Sequence, residues 1–145
     1  MEVLITNQQK KRPISQTRIQ KTARAILNAL ASPEGELSLL VVDDDGMAPL
    51  NHQYLGRTGP TNVIAFPMQE GEFAGLSPHL LGDVVISVET CRREAEAAGI
   101  SFEKRFTELL IHGILHLCGY DHEKSPAEAR RMTQKSNALL QHLGI

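Results

Sequence analysis

Hydrophobic and polar residues fall along this chain in blocks whose period switches between that of a strand and that of a helix. EVLITN at residues 2–7 is a run of apolar and β-branched side chains and predicts a strand. QQKKRPIS at 8–15 is polar, contains a proline and reads as a loop. Beyond it, Ile19, Ala23, Ile26, Leu27 and Leu30 recur at the spacing of one buried helix face, with Ser15 or Thr17 available as the cap. Lys21, Arg24 and Asn28 lie off that face, and SPEG at 32–35 ends the helix.

ELSLLVVDD at 36–44 is apolar almost throughout, which predicts a central strand buried on both faces. DGMAPLNHQYLG at 45–56 predicts a short helix, capped by Asp44 or Asp45 and ended by Gly56. RTGP is a turn, and TNVIAFPM at 61–68 is a third strand with Pro67 near its end. QEGEFAGLSPH at 69–79, broken by glycine and proline, predicts an exposed loop. LLGDVVISV at 80–88 predicts a fourth strand, interrupted by Gly82 and Asp83. SVETCRREAEAA at 87–98 reads as a helix stopped by Gly99. A helix over 101–118 contains FTELLIHGILHL, apolar enough to be the central one, with Gly119 as its left-handed stop. The last helix, SPAEARRMTQKSNALLQHL, starts with Ser125 as cap, Pro126 at the first position and Glu128 three residues after the cap. Neither repeats nor linkers interrupt this order. It predicts one α+β domain over residues 1–145: a single small mixed sheet of about four strands covered by helices.

Composition narrows the class. A length of 145 residues suits one domain with a real core. Hydrophobic residues at 41% and charged residues at 22% are those of a soluble globular protein. The longest apolar runs, such as LSLLVV at 37–42, are too short to span a bilayer. MEVLITNQQKKR places its apolar run before its charges and has no small-residue cleavage site, so it does not read as a signal peptide. No membrane partner and a cytoplasmic location are expected. Cys91 and Cys118 form no disulfide framework and are expected to be buried, reduced thiols.

The net charge of −2 excludes a generic nucleic-acid coating protein. Its distribution is less even. From Val3 to Pro33 there is no acidic residue, while Lys10, Lys11, Arg12, Arg18, Lys21 and Arg24 all fall there. Such a face can hold RNA phosphates; it can equally be a solvated helix face beside a charged loop.

HGILHLCGYDH, residues 112–122, carries half of the six histidines. His112 and His116 are one helical turn apart, about 6 Å along the axis and about 40° around it. Both imidazoles can therefore face one metal ion. Gly119 lets the chain reverse, and His122 can return as a third ligand. Three protein ligands with a fourth position open is the catalytic zinc pattern. Cys118 would close the site, but two residues from His116 it points off the shared face. His52, His79 and His142 have no such partners in sequence and read as ordinary histidines.

The pattern H-x-x-x-H-x-x-G-x-x-H has the ligand spacing of the metzincin proteases, but where they carry the general-base glutamate this chain has Gly113. Peptide hydrolysis by that route needs the carboxylate. Phosphodiester hydrolysis asks less of it, provided cations neutralise the developing charge. A zinc peptidase is thus disfavoured and a phosphodiesterase stays open.

The same eleven residues resemble the H-G-x-L-H-L-x-G-Y-D-H signature of the YbeY family of bacterial metal-dependent endoribonucleases and rRNA maturation factors. GPTNVIAFP at 59–67 is similar to that family's P-T-[DN]-V-L-S-F-P, and LLGDVVIS at 80–87 to its L-G-D-[IV]-x-I, in the family's order. The resemblance covers nearly the whole chain. It implies a single α+β domain and a metal, taken as one Zn2+ per chain, on His112, His116 and His122. It also implies cleavage of rRNA or other single-stranded RNA in ribosome maturation and quality control, with a ribosomal subunit or an assembly factor as partner. A second implied possibility is a ribosome-associated binding factor whose metal is mainly structural.

Two positions depart from the family pattern. The family usually has arginine directly after the tyrosine matching Tyr54; this chain has Leu55. Arg57 follows two residues later and is expected to take over the phosphate contact. Ala65 replaces the usual serine of S-F-P. Asp83 lies in an apolar strand, so it is expected to be buried with a hydrogen-bond partner, or to serve as a base near the metal. Asp121, beside His122, is expected either to orient a ligand imidazole or to shape the turn after Gly119. Thr61 and Asn62 are expected to cap the strand or line the cleft.

Overall fold

Neighbouring positions of a strand point to opposite faces of a sheet, and in this chain the two faces receive different helices. A computed structural model describes residues 2–68 and 79–145. In chain order the elements are β1 (Glu2–Asn7), α1 (Gln16–Ala29), β2 (Glu36–Val42), α2 (Asp44–Leu55), β3 (Val63–Pro67), β4 (Leu80–Ser87), α3 (Val88–Ala98), α4 (Phe102–Leu117) and α5 (Pro126–Leu143). The strands form one mixed sheet in the order β1-β2-β4-β3. β2 pairs parallel with β1 and with β4, while β3 runs antiparallel to β4. The fold is the expected α+β arrangement, with β2 in the sheet interior as its apolar run predicts.

Val3, Leu37, Leu39, Val41, Val84 and Ile86 face the main core, where α1 and α4 lie. α4 is held from all sides, touching β3, β4, α1, α3 and α5. Its Ile111, Ile114 and Leu115 are fully buried, each contributing about 1.5–3 kcal/mol by leaving water. A helix fixed this firmly is a rigid base for the side chains at its end. On the opposite face Val42, Ile64 and Val85 make a smaller cluster with Met47 of α2. Among the described residues no other helix covers that face, and Leu4 and Tyr54 are exposed there.

Serines set the helix starts. Ser15, Ser87, Ser101 and Ser125 each accept a hydrogen bond from the backbone N–H three residues on, which satisfies a donor the first turn leaves unpaired. The cap of α2 differs from expectation: it is Asp43, which accepts from Gly46 N–H at 2.8 Å. Asp44 turns the other way. Its carboxylate accepts from Ser87 Oγ and Thr90 Oγ1, both at 2.7 Å, and pairs with Arg93 at 2.7 Å. Burial alone would raise its pKa, but these donors and the Arg93 charge outweigh it and hold the carboxyl below its usual value.

Gly82 and Asp83 do not interrupt β4. The register steps from Glu36↔Leu80 to Leu37↔Gly82, so Leu81 is an extra residue accommodated as a bulge. Gly82 sits there at φ 140°, and a Cβ in its place would collide with the Phe66 carbonyl oxygen. Asp83 is exposed rather than buried. It shares the open sheet face with Thr6, Ser38 and Tyr54, opposite to Val84, which faces α4. The loop expected at 69–79 falls outside the described residues except for His79.

Candidate metal centre

The last turn of α4 and the chain reversal after it build the site. Cys118 caps α4, and Gly119 follows at φ 97°. Gly119 N–H donates to the His116 carbonyl at 3.1 Å and Tyr120 N–H to the Leu115 carbonyl at 3.0 Å. That bond pair is the Schellman stop, which a glycine in the left-handed region makes at low strain. Tyr120 then packs against the core, and the Arg131 guanidinium lies 4.5 Å above its ring. Asp121 accepts from Glu123 N–H at 2.9 Å and closes the next turn. Of its two expected roles, the turn is the one its hydrogen bond serves; it acts on His122 through the backbone.

His122 is thereby brought back beside the helix. Ring centroids are 4.8 Å apart for His112 and His116, 5.3 Å for His112 and His122, and 5.2 Å for His116 and His122. One ring nitrogen from each lies within 4.8 Å of the others, close enough to hold one ion together. Two ligands about 2.1 Å from a tetrahedral ion would be about 3.4 Å apart, so small side-chain rotations complete the fit. Among the described residues this group contains histidines only; Cys118 is not part of it. Burial, followed by the neighbouring His116 and His122 and by Arg105, pushes the His112 pKa down to about 4. His112 is therefore neutral at pH 7, with a nitrogen lone pair to offer.

The histidines open onto a cleft of about 570 Å³. Its walls are β3, with Val63, Ile64 and Ala65, the preceding Thr61 and Asn62, the end of α2 with Leu55 and Arg57, and the loop carrying Glu123 and Lys124. Both Thr61 and Asn62 line the cleft as expected. Asn62 also caps the strand, its Oδ1 accepting from Val63 N–H at 2.7 Å while Nδ2 donates to Glu94. Glu94 in turn pairs with Arg105 at 2.9 Å, and Arg105 with Glu108 at 2.8 Å. Arg57 lines the same cleft as the histidines.

Glu123 and Asn51 escaped the sequence reading. Glu123 Oε1 is 3.7 Å from the Arg57 guanidinium and 3.8 Å from His122 Nε2. Its only signal in the sequence is an acid directly after the third histidine. Arg57 and Glu123 are both well exposed, so their attraction is weak and leaves the guanidinium available to an anion. Asn51 is buried. Its side-chain Nδ2 donates to the Gly59 carbonyl at 2.8 Å, and its backbone carbonyl accepts from Arg57 N–H at 3.3 Å. It thus clamps both ends of the loop that carries Arg57.

Other expected site residues lie elsewhere. Asp83 is on the far face of the sheet, away from the histidines. Arg12 stacks on Phe102 at 3.9 Å and pairs with Glu103 at 3.7 Å. That is the opposite end of α4, about 15–20 Å from His112 and His116 at the rise of a helix. Lys10 and Lys11 are exposed in the same loop, and Lys21 and Arg24 on the surface of α1. None of these five cations lines the cleft.

The family model described as "Endoribonuclease YbeY" matches residues 4–144. The chain is 52% identical to "Endoribonuclease YbeY" of Geobacter sulfurreducens, over 100% of this chain and 99% of that one. It is 42% identical to the protein of that name in Aquifex aeolicus, over 92% of this chain and 87% of that one. Among solved structures it resembles the solution structure of TM1509 from Thermotoga maritima, with a TM-score of 0.62 and 25% identity over 96% of this chain and 87% of that one. A match from residue 4 to residue 144, carried by relatives of the same length that are up to 52% identical, means that the chain belongs to the Endoribonuclease YbeY family.

Proposed function

We infer that the chain is a metal-dependent endoribonuclease that cuts single-stranded RNA, acting on rRNA in ribosome maturation and quality control. The observation that carries this is one cleft holding three imidazoles within 4.8 Å of one another and a cation, Arg57, in a chain 52% identical to a named endoribonuclease.

His112, His116 and His122 would hold one Zn2+ at the cleft. Bound there, the ion supplies a lowered water pKa and positive charge for a phosphoryl oxygen. The remaining work belongs to the protein. Arg57 holds the scissile phosphate and offsets the charge that grows on it. The Glu123 carboxylate, 3.8 Å from His122 Nε2, takes up a proton from the attacking water. Burial keeps His112 neutral and so available as a ligand. The N-terminal cations Lys10, Lys11, Arg12, Lys21 and Arg24 guide RNA only outside the cleft, and Arg12 least, since its guanidinium is already engaged. With a net charge of −2 the chain has little general affinity for RNA. A ribosomal subunit or assembly factor supplies the targeting, in the cytoplasm. A peptidase reading is disfavoured because the chain's relatives are named endoribonucleases, one of them 52% identical over the whole chain.

The test is cleavage of a single-stranded RNA with and without chelator, beside elemental analysis of the protein as isolated. Cleavage that needs metal, disappears in His116→Ala and spares duplex RNA is the expected result. RNA left intact by metal-loaded protein would refute the inference.

A further inference from the structure

The cleft has a wall that the histidines and Arg57 leave unexplained: the outer edge of β3. β3 is hydrogen-bonded to β4 on one side, and among the described residues no strand flanks the other. The register from Val63↔Ile86 to Pro67↔Gly82 is unbroken, and Ser87 N–H donates to the Asn62 carbonyl. Hydrogen-bonded positions alternate along an antiparallel pair. Asn62, Ile64 and Phe66 therefore direct their backbone groups at β4, and Val63, Ala65 and Pro67 direct theirs outwards. Val63 N–H is already taken by Asn62 Oδ1, and proline has no N–H. One outward donor remains, the N–H of Ala65, and it has no partner among the described residues. Ala65 lines the cleft with the three histidines, and its side chain packs on the α4 side of the sheet.

We propose that the Ala65 backbone N–H is a substrate-binding group: it donates to a non-bridging phosphate oxygen of the RNA and sets the register of the strand against His112, His116 and His122. This rests on the endoribonuclease reading above. A backbone N–H fixed by a sheet is a preorganised donor for an anionic oxygen and needs no side chain. One isolated donor suits a phosphate better than a peptide. An added peptide strand would need donors and acceptors at alternate positions of the edge, and Val63 and Pro67 offer only acceptors. The outward carbonyls of Val63 and Ala65 repel phosphate, so the anion has one seat on this edge. The same carbonyls accept from ribose hydroxyls of the flanking nucleotides.

Ala65→Pro removes the donor, and an outward position on an edge strand contributes no N–H to the sheet. KM for a single-stranded RNA should rise about tenfold, the loss of one charge-assisted hydrogen bond, with metal content, thermal midpoint and kcat close to wild type. Ala65→Ser keeps the N–H and should bind single-stranded RNA more tightly than Ala65→Pro does. A wild-type KM in Ala65→Pro overturns the proposal. If proline at 65 prevents folding, amide-resolved NMR of the metal-loaded wild-type chain with a single-stranded RNA decamer decides the matter. The Ala65 amide proton should shift downfield on binding. An Ala65 amide unmoved at saturating RNA, or moved by an extended peptide and not by RNA, overturns the proposal. Failure of the wild-type chain to cleave RNA is a different result; it sinks the endoribonuclease reading and this proposal with it.

Discussion

Gly113 of α4 lies directly on Val84 of β4: a side chain at 113 would place its first carbon 2.6 Å from Val84 Cγ1. Gly113 lines the cleft with its backbone, but a side chain there would run into the sheet. In the protease pattern the residue after the first histidine is the general base. Here the glycine is the contact that lets the histidine helix sit close on the sheet, so the absent carboxylate reflects packing and not damage to a site.

Gly113→Ala should destabilise the protein by about 1–3 kcal/mol, the usual range for overpacking, despite the better helix propensity of alanine. Val84→Ala should be destabilising alone, yet should recover part of the loss when combined with Gly113→Ala. Urea unfolding of the four proteins of this cycle measures the coupling. Strict additivity would show that the two residues do not oppose each other.

Asn51 holds the loop that carries Arg57 through its side-chain amide on the Gly59 carbonyl and its backbone carbonyl on the Arg57 N–H. Asn51→Ala removes the bond to Gly59 and keeps the backbone bond to Arg57, so it should lower kcat/KM for RNA in the same direction as Arg57→Ala but by less, Arg57→Ala costing about tenfold to a hundredfold, the scale of losing a charged contact to a phosphate. The double variant should be little worse than Arg57→Ala. Multiplying losses would mean that Asn51 acts on something other than Arg57.

Leu55 is 45% exposed and lines the cleft beside Arg57. Leu55→Arg should cost little stability, because the side chain has little packing to lose. It should tighten single-stranded RNA binding, and the slope of log K against log salt should steepen by about 0.7 for one added phosphate contact. Unchanged salt dependence would place the new guanidinium away from the RNA.

What was legible in the sequence was local. Helix and strand periods, serine caps and the Gly119 stop are each set by a few adjacent residues, and the histidine triad is confined to eleven. Asp83 misled because an acid among apolar residues was taken to be buried; the half-covered sheet face it occupies is a tertiary feature, set by the reach of α2. The bulge at Leu81 and Gly82 was read as an interruption for a related reason: it depends on the register against β2. Glu123 could not be placed from sequence because Arg57 reaches it from a loop distant in the chain, and Asn51 because its partners lie in an irregular turn that carries no periodic signal. The basic N-terminal stretch suggested a phosphate site, but Arg12 is drawn to Phe102 and Glu103 at the far end of α4.

Metal loading should stabilise the fold, because the three-histidine site exists only in the native state. With free zinc at about 100 times Kd, the gain is about 2.7 kcal/mol. A thermal melt with and without chelator should show it in the wild type and lose most of it in His116→Ala. Equal midpoints with and without zinc in the wild type would count against a metal on these residues.

The metal-free protein should carry a pH signature of His112. Its pKa is near 4 in the fold and near the ordinary 6.5 in the unfolded chain. Above pH 6.5 the imidazole is neutral in both states and adds no pH dependence. Between pH 6.5 and about 4 the unfolded chain binds a proton that the folded chain resists, so stability falls as pH falls. Below about pH 4 both states are protonated and this contribution levels off. His112→Gln has no such group, so the stability difference between wild type and variant should shift against the wild type across that window. Chelator-treated samples unfolded in urea at pH 7.5, 5.5 and 4.5 provide the comparison. Parallel curves for the two proteins would mean that the His112 ring takes up a proton as readily in the fold as in the open chain.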